Sequence, residues 1–257
     1  MRILFVLFSI FLSQSLPSQV LDLYPTEVNK LSFPEEIKKL YEERYVLYMK
    51  QDNKQVLTEL ERKRLDDLIN NEKLVEQKMS WWDVSGMGCS WYCCGNIDTV
   101  IASSNLKKSG KITYIGANAG DDNYETAWVE GVDGYGIGEN VTFYINSGQV
   151  DEIIVANGYV KTPKAYKENS RVKTLKLYYN DKHIANLYLK DELSDQHFKL
   201  WKVFGSHAYY NDEGHWIGYD GKLVPQWSFK FEIVDVYEGT KYDDTVISEI
   251  HFSGPCH

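Results

Sequence analysis

The segment from His207 to Gln226 gathers the densest set of side chains with ligand chemistry: His207, Tyr209, Tyr210, Asn211, Asp212, His215, Trp216, Tyr219, Asp220 and Gln226. A pyranose needs a ring to cover its apolar face and a few polar groups for its hydroxyls, and this segment offers both at short spacing. Tyr209, Tyr210, Asn211, Asp212, His215, Trp216 and Tyr219 are therefore the candidate ligand-binding residues. The alternative use of these rings is a hairpin whose aromatics cover one end of a domain. Adjacent carboxylates occur at Asp243-Asp244 and Asp212-Glu213, but a glycosidase pair has to face across a cleft. No nucleophile elbow, phosphate-cradling glycine loop or zinc-hydrolase helix motif is present. No catalytic residue is assigned, and the chain reads as non-enzymatic. His197, His207 and His215 are irregularly spaced, as scattered surface histidines are.

Cys89, Cys93, Cys94 and Cys256 could supply disulfides or half of a metal site. In an oxidising compartment an even count points to two bridges, and four cysteines allow three pairings. A vicinal Cys93–Cys94 bridge strains the peptide between its partners, so one member of the cluster is expected to reach Cys256. The competing zinc reading starts from Cys89 and Cys93, which are spaced like half a site, and needs His251 or His257 to join Cys256. Asn140-Val141-Thr142 is a glycosylation acceptor pattern, meaningful only in a eukaryotic secretory pathway.

The compartment is read from the first residues. Met1-Arg2 precede an apolar-plus-serine run from Ile3 to Leu12 and then Ser13-Gln14-Ser15-Leu16-Pro17-Ser18. This pattern reads as a secretory signal peptide over 1–18, cut after Ser15 or near Ser18, and places the chain as secreted, periplasmic or at the cell surface. A buried N-terminal strand or helix is the alternative. The run is shorter than the ~20 apolar residues a bilayer requires, and no other stretch is longer, so no membrane span is expected.

At 257 residues the chain holds one large domain, or a medium one with a smaller element. Its 43% hydrophobic and 25% charged content excludes a disordered chain. A net charge of −9 leaves no global positive field for phosphate backbones, so no nucleic-acid partner is expected and anionic membrane surfaces are poor candidates. Aromatics reach 14%, with 7 Trp and 19 Tyr against 10 Phe, an excess of rings that carry a polar handle.

These rings are unevenly placed. From Ser32 to Lys78 there is no Trp, Gly or Cys, and Glu, Lys, Leu and Arg dominate. Ser32-Phe33-Pro34-Glu35 carries the marks of a helix start. Apolar residues at Ile37, Leu40, Tyr41, Tyr45 and Tyr48, then at Leu57, Leu60, Leu65, Leu68 and Ile69, follow helical spacing around a polar break at Gln51-Asp52-Asn53-Lys54. Residues 19–80 are thus expected to form a helical hairpin or spacer, with a partner-binding or oligomerising arm as its functional alternative.

Beyond Met79 the spacing changes to period two. Val141, Phe143 and Ile145 alternate with polar positions, as do Leu175, Leu177 and Tyr179, Ala185, Leu187 and Leu189, Trp227, Phe229, Phe231 and Ile233, and Val246, Ser248, Ile250 and Phe252. Asn180-Asp181-Lys182 is a turn signal between two of these runs. All 7 Trp, 15 Tyr and a net charge of −8 lie in residues 81–257. Short alternating strands with Gly, Asn and Asp between them predict an antiparallel β-sandwich or barrel over 81–257. Its acidity suits a neutral ligand or a cation better than a polyanion.

Several linked motifs then carry a family likeness: Asn118-Ala119-Gly120-Asp121-Asp122-Asn123-Tyr124-Glu125-Thr126-Ala127-Trp128-Val129-Glu130-Gly131, Gly134-Tyr135-Gly136-Ile137-Gly138-Glu139, Ala156-Asn157-Gly158-Tyr159-Val160-Lys161, Asn169-Ser170-Arg171-Val172-Lys173, and Asp235 to Ile250. Over residues 97–252 the chain resembles the discoidin-like (F5/8 type C) domain of the translocation region of bacterial NAD glycohydrolases. The resemblance implies a mainly β fold, a galactose-binding-like jelly-roll β-sandwich here preceded by a short α-helical hairpin. It also implies a carbohydrate-binding or surface-attachment module with a glycan or glycoconjugate as partner. No counterpart of the hydrolase domain is seen, so an NAD-cleaving activity is not carried over. A structural or protein-binding module, with the hairpin contacting a partner, is the alternative.

In such sandwiches an Asp-Gly-Asp-x-x-Thr-x-Trp loop and a late Glu often hold a structural Ca²⁺, which implies Asp121, Asn123, Thr126 and Glu249 as ligands here. Asp122 stands where the pattern has Gly, and Asn123 where it has a second Asp. The alternative is a turn in which Asp121 and Thr126 cap backbone groups. Trp128 and Tyr237, inside the motifs, are expected in the core.

Overall fold

The computed structural model describes residues 19–75, 78–84 and 90–255. The expected signal peptide, Cys89, Cys256 and His257 lie outside those residues. The elements in chain order are β1 (Leu21–Leu23), β2 (Glu27–Lys30), α1 (Glu35–Asp52), α2 (Glu59–Ile69), β3 (Asn96–Ala102), β4 (Trp128–Val129), β5 (Asn140–Asn157), α3 (Pro163–Glu168), β6 (Ser170–Tyr179), β7 (Lys182–Tyr188), β8 (Ser194–Ser206), β9 (Tyr209–Tyr210), β10 (Trp216–Ile217), β11 (Trp227–Tyr237) and β12 (Thr245–Ser253). The chain is mainly β, a galactose-binding-like jelly-roll sandwich with a short helical hairpin ahead of most of its strands.

The sandwich is organised by β5. Its first half pairs with β3 and β11, and its second half with β8 and β12. One layer is completed by β6 and β7 beyond β11, the other by β4 beyond β12. The switch falls at Gly148, where φ is +128° and a Cβ would stand 2.5 Å from the Trp91 ring. Only glycine supplies that conformation without strain, and its lack of a side chain lets Trp91 lie against the bend.

The alternating apolar residues meet between the layers. Val141, Phe143, Ile145, Leu175, Leu177, Phe229, Phe231, Ile250 and Phe252 all enter one core, with Phe143 packed edge-on against Phe231 and Phe252. Full burial of each such side chain contributes roughly 1.5–3 kcal/mol. Trp128 is fully buried there and donates from Nε1 to the Ser104 carbonyl at 2.9 Å, as its motif position implies. Tyr237 is half-buried and donates to the Leu189 carbonyl at 3.1 Å.

The hairpin builds a small core of its own from Tyr41, Leu47, Leu57, Leu65, Leu68, Leu74 and Trp81. α1 begins after Pro34 without a side-chain cap; the capping box belongs to α2, where Thr58 and Glu61 bond reciprocally. Buried Arg44 donates to the carbonyls of Val75 and Lys78, tying the chain after α2 to α1. Phe33 joins the hairpin to the sandwich, packing on Trp81 and on Tyr124.

Leu21–Leu23 and Glu27–Lys30, assigned by sequence to the helical spacer, are strands. β1 adds in parallel to the β7 edge of one layer, and β2 adds antiparallel to the β8 edge of the other. Tyr24 stacks on Tyr188 at 5.0 Å, and Asp22 accepts from Asn186 and Tyr188. Three- and four-residue strands with mostly exposed side chains carry no periodicity long enough to detect, which is why composition alone misplaced them.

Candidate functional site

The sequence-predicted ring cluster is a raised two-stranded hairpin. β9 and β10 pair Tyr209 with Ile217 and Tyr210 with Trp216, and the Tyr210 and Trp216 rings lie 5.3 Å apart. The tip closes on Asn211, whose Oδ1 accepts from the amides of Glu213 and His215 while Gly214 takes a positive φ of +85°. Tyr209, Tyr210 and Tyr219 are 50%, 63% and 89% exposed, whereas the other described Tyr, Trp and Phe rings, Tyr24 and Tyr242 apart, are buried or half-buried. Asp212 and His215 are exposed at the tip.

The hairpin is anchored at its root. Ser147 Oγ donates to the Ala208 carbonyl and accepts from the Ala208 amide, both at 2.9 Å. Gln226 donates to Asp98 and Asn146 on the neighbouring strands. Between the segments that flank the hairpin lies a pocket of about 450 Å³ lined in part by His207, Tyr219, Asp220 and Gln149. His207 Nε2 is buried there without a hydrogen-bond partner. Asp220 accepts from the Lys222 side chain at 2.8 Å, which lowers its pKa. A rigid base, exposed rings and polar groups of both signs form a surface able to receive a hydroxylated ligand.

The four residues of the implied calcium set come from one loop and one strand. Thr126 Oγ1 donates to both carboxylate oxygens of Asp121 at 2.8 Å and lies 2.9 Å from the Asn123 carbonyl. The Asn123 amide donates to Glu249 Oε2 at 3.3 Å. Asp122 holds φ at +61°, the left-handed conformation for which the family pattern uses Gly, so the substitution has kept the turn. Glu249 on β12 is fully buried, and its Oε1 has no partner. Burial pushes its carboxyl well above the usual range, with the Asp121 and Asp122 charges adding to it. Burial likewise raises Asp121. Among the described residues no group of three or more His, Cys, Asp and Glu side chains is disposed to hold a metal. A hard cation here would draw also on Asn, Thr and main-chain oxygens, as Ca²⁺ does. The unpartnered Glu249 oxygen beside a second acid fits such an ion, while the Thr126 Oγ1 bond to the Asn123 carbonyl matches the capped-turn alternative.

Two further features were less legible. Cys94 is disulfide-bonded, and the expected partners Cys89 and Cys256 fall outside the described residues. A cleft of about 400 Å³ also opens between α3, β4 and the start of β12, with Tyr114, Tyr159 and Tyr242 in its wall. No local run of sequence announces it, although Tyr159 lies within the Asn157-Gly158-Tyr159 motif.

The family described as the NAD glycohydrolase translocation F5/8 type C domain matches residues 91–253. The chain belongs to that family. The matched region is a translocation-type, discoidin-like module and not a catalytic domain. Solved structures similar to the chain include the Streptococcus pyogenes NAD+-glycohydrolase translocation domain, at 22% identity and a TM-score of 0.26, covering 50% of this chain and 98% of that one. CBM32-1 from a family 31 glycoside hydrolase of Clostridium perfringens matches at 10% identity and a TM-score of 0.37, covering 62% and 97%. The mycobacterial arabinofuranosyltransferase AftD matches at 14% identity and a TM-score of 0.36; 66% of this chain is covered, but it spans only 12% of that enzyme. No curated protein matches the chain. Among the described residues no helix is long and apolar enough to cross a membrane.

Proposed function

We propose that the chain is a secreted, non-enzymatic module that attaches to glycan through the hairpin built from Tyr209, Tyr210, Asn211, Asp212, His215, Trp216 and Tyr219. The observation that carries this reading is the exposure of Tyr209, Tyr210 and Tyr219 on a hairpin fastened to the sandwich, where covering a core would have buried them. Exposed rings of this kind provide the flat apolar contact a pyranose face requires. The acidic charge of residues 81–257 favours a neutral saccharide over a polyanion.

Two supports complete the reading. Asp121, Asn123, Thr126 and Glu249 would hold a Ca²⁺, whose charge would offset that of the buried carboxylate. A bridge from one of the Cys89, Cys93 and Cys94 cluster to Cys256 would tie the start of the sandwich to its end; the Trp91 ring at that start packs 5.5 Å from Phe252. Protein contact through the helical hairpin is the second reading, favoured by Val56 and Leu60 at 90% and 79% exposure on α2 and the turn before it.

A glycan array probed with the intact secreted chain tests the proposal. Retention on a related set of neutral saccharides is expected. Silence across neutral and acidic glycans would contradict it and leave the protein-contact reading.

A further inference from the structure

We propose that the pocket at the junction of the helical hairpin and the sandwich binds a phosphate group, either as the free ion or as the monoester of a small molecule. Lys30, Lys38, Lys73 and Lys78 line it together, and no carboxylate is among its described lining residues.

The sequence scatters these lysines and the fold gathers them. Lys30 ends β2, Lys38 lies in the first turn of α1, and Lys73 and Lys78 follow α2. Phe33 packs on Trp81 at 5.3 Å and on Tyr124 at 5.7 Å, so the pocket sits where the hairpin core meets the sandwich. In a chain of 37 acidic and 28 basic residues, four cations around one hollow reverse the sign locally. A cleft lined by one sign of charge concentrates ligands of the other.

The existing partners of these lysines leave room for an anion. Glu35 and Glu36 lie 3.6 Å and 3.5 Å from Lys38 and Lys73, but the two glutamates are 79% and 71% exposed, and solvent screens such pairs. Lys38 Nζ also stands 4.2 Å from the centre of the Trp81 ring. Lys78 donates to the Asp83 carbonyl at 2.7 Å. Burial lowers its pKa, against the pull of Asp195, Asp83 and Asp122. Asp195 is itself engaged, accepting from the Tyr124 hydroxyl. A bound anion would hold Lys78 in its charged form.

The lining selects the ligand class. A phosphate monoester carries about −1.5 to −2 charge at neutral pH and three acceptor oxygens, which matches several cations better than a single carboxylate does. Lysine binds it as a point charge and needs no planar fork. The volume, about 250 Å³, lies just below the roughly 300–1,000 Å³ of drug-sized sites, so the ligand is small. Phe33, Tyr41 and Trp81 supply an apolar wall for whatever carries the phosphate. A nucleic acid or other polyanion would instead meet the negative charge of the surrounding molecule. An occupant touching β2, α1 and the chain after α2 would clasp the hairpin to the sandwich and raise stability with its concentration.

Calorimetric titration and melting of the intact secreted chain test this, in chelator and at fixed ionic strength. The probes are inorganic phosphate, glycerol 3-phosphate and phenyl phosphate, with chloride and glycerol as controls. No probe is a saccharide, so the outcome is independent of the ring hairpin. At least one phosphate probe should bind saturably and raise the melting temperature. A response to inorganic phosphate assigns the free ion, and a response to the esters alone assigns the carried group. Lys30→Ala/Lys73→Ala should weaken binding by roughly tenfold or more, with the unliganded melting temperature preserved because both side chains are exposed. Lys30→Arg/Lys73→Arg should retain most of the affinity, and Lys182→Ala, an exposed lysine on β7, should change nothing. The proposal is overturned if no phosphate probe acts beyond the chloride and glycerol controls, or if the folded Lys30→Ala/Lys73→Ala variant binds as tightly as wild type.

Discussion

Glu249 is the residue whose chemistry most needs a partner. Its carboxyl is fully buried with one oxygen unpaired, and Asp121 and Asp122 add negative charge nearby. Burial raises its folded pKa above the ordinary 4.5. A raised carboxyl pKa means the folded state holds its proton longer than the unfolded one, so stability is present below pH ~4.5 and is lost as pH rises through the folded value. Without a divalent cation, wild type should therefore lose melting temperature relative to Glu249→Gln as pH is raised. Adding Ca²⁺ at neutral pH should raise wild type and leave Glu249→Gln unmoved. Melts in chelator and in Ca²⁺ across pH check both, and an absence of any Ca²⁺ effect on wild type would remove the metal and leave the capped turn.

At the scale of elements, what could be read in advance was what repeats. Alternation at Val141, Phe143 and Ile145 and from Trp227 to Ile233 announced β5 and β11 because one face of each is buried in a shared core. The β9–β10 rings were legible as a cluster because they are contiguous in sequence. Other features depend on a third dimension that spacing does not encode. Tyr114, Tyr159 and Tyr242 meet only after three separate loops are folded, and β1 and β2 are defined by the edges they cover. Nor does local sequence reveal that β5 serves both layers. That switch rests on Gly148, so Gly148→Ala should cost about 3 kcal/mol or more, through a strained backbone and the clash with Trp91. Urea unfolding should show a lowered midpoint with an unchanged slope; an unaltered midpoint would mean that the bend does not depend on glycine.

For the molecule as a whole, the N-terminal arm and the sandwich are one construction. β1 and β2 cover an edge of each layer, and unprotected edges pair with other chains. A chain lacking residues 1–30 should consequently self-associate, which light scattering after size exclusion would report; a stable monomer would assign the arm a lesser role. The same sandwich carries the exposed ring hairpin, fastened at its root by the bonds between Ser147 and Ala208. Attachment to glycan through that hairpin is the central claim, and calorimetric titration of the saccharide that responds most strongly on the array tests it most directly. Tyr210→Ala/Trp216→Ala should weaken affinity by roughly tenfold or more, with the melting temperature preserved. Equal affinity in the folded variant and in wild type would contradict the account.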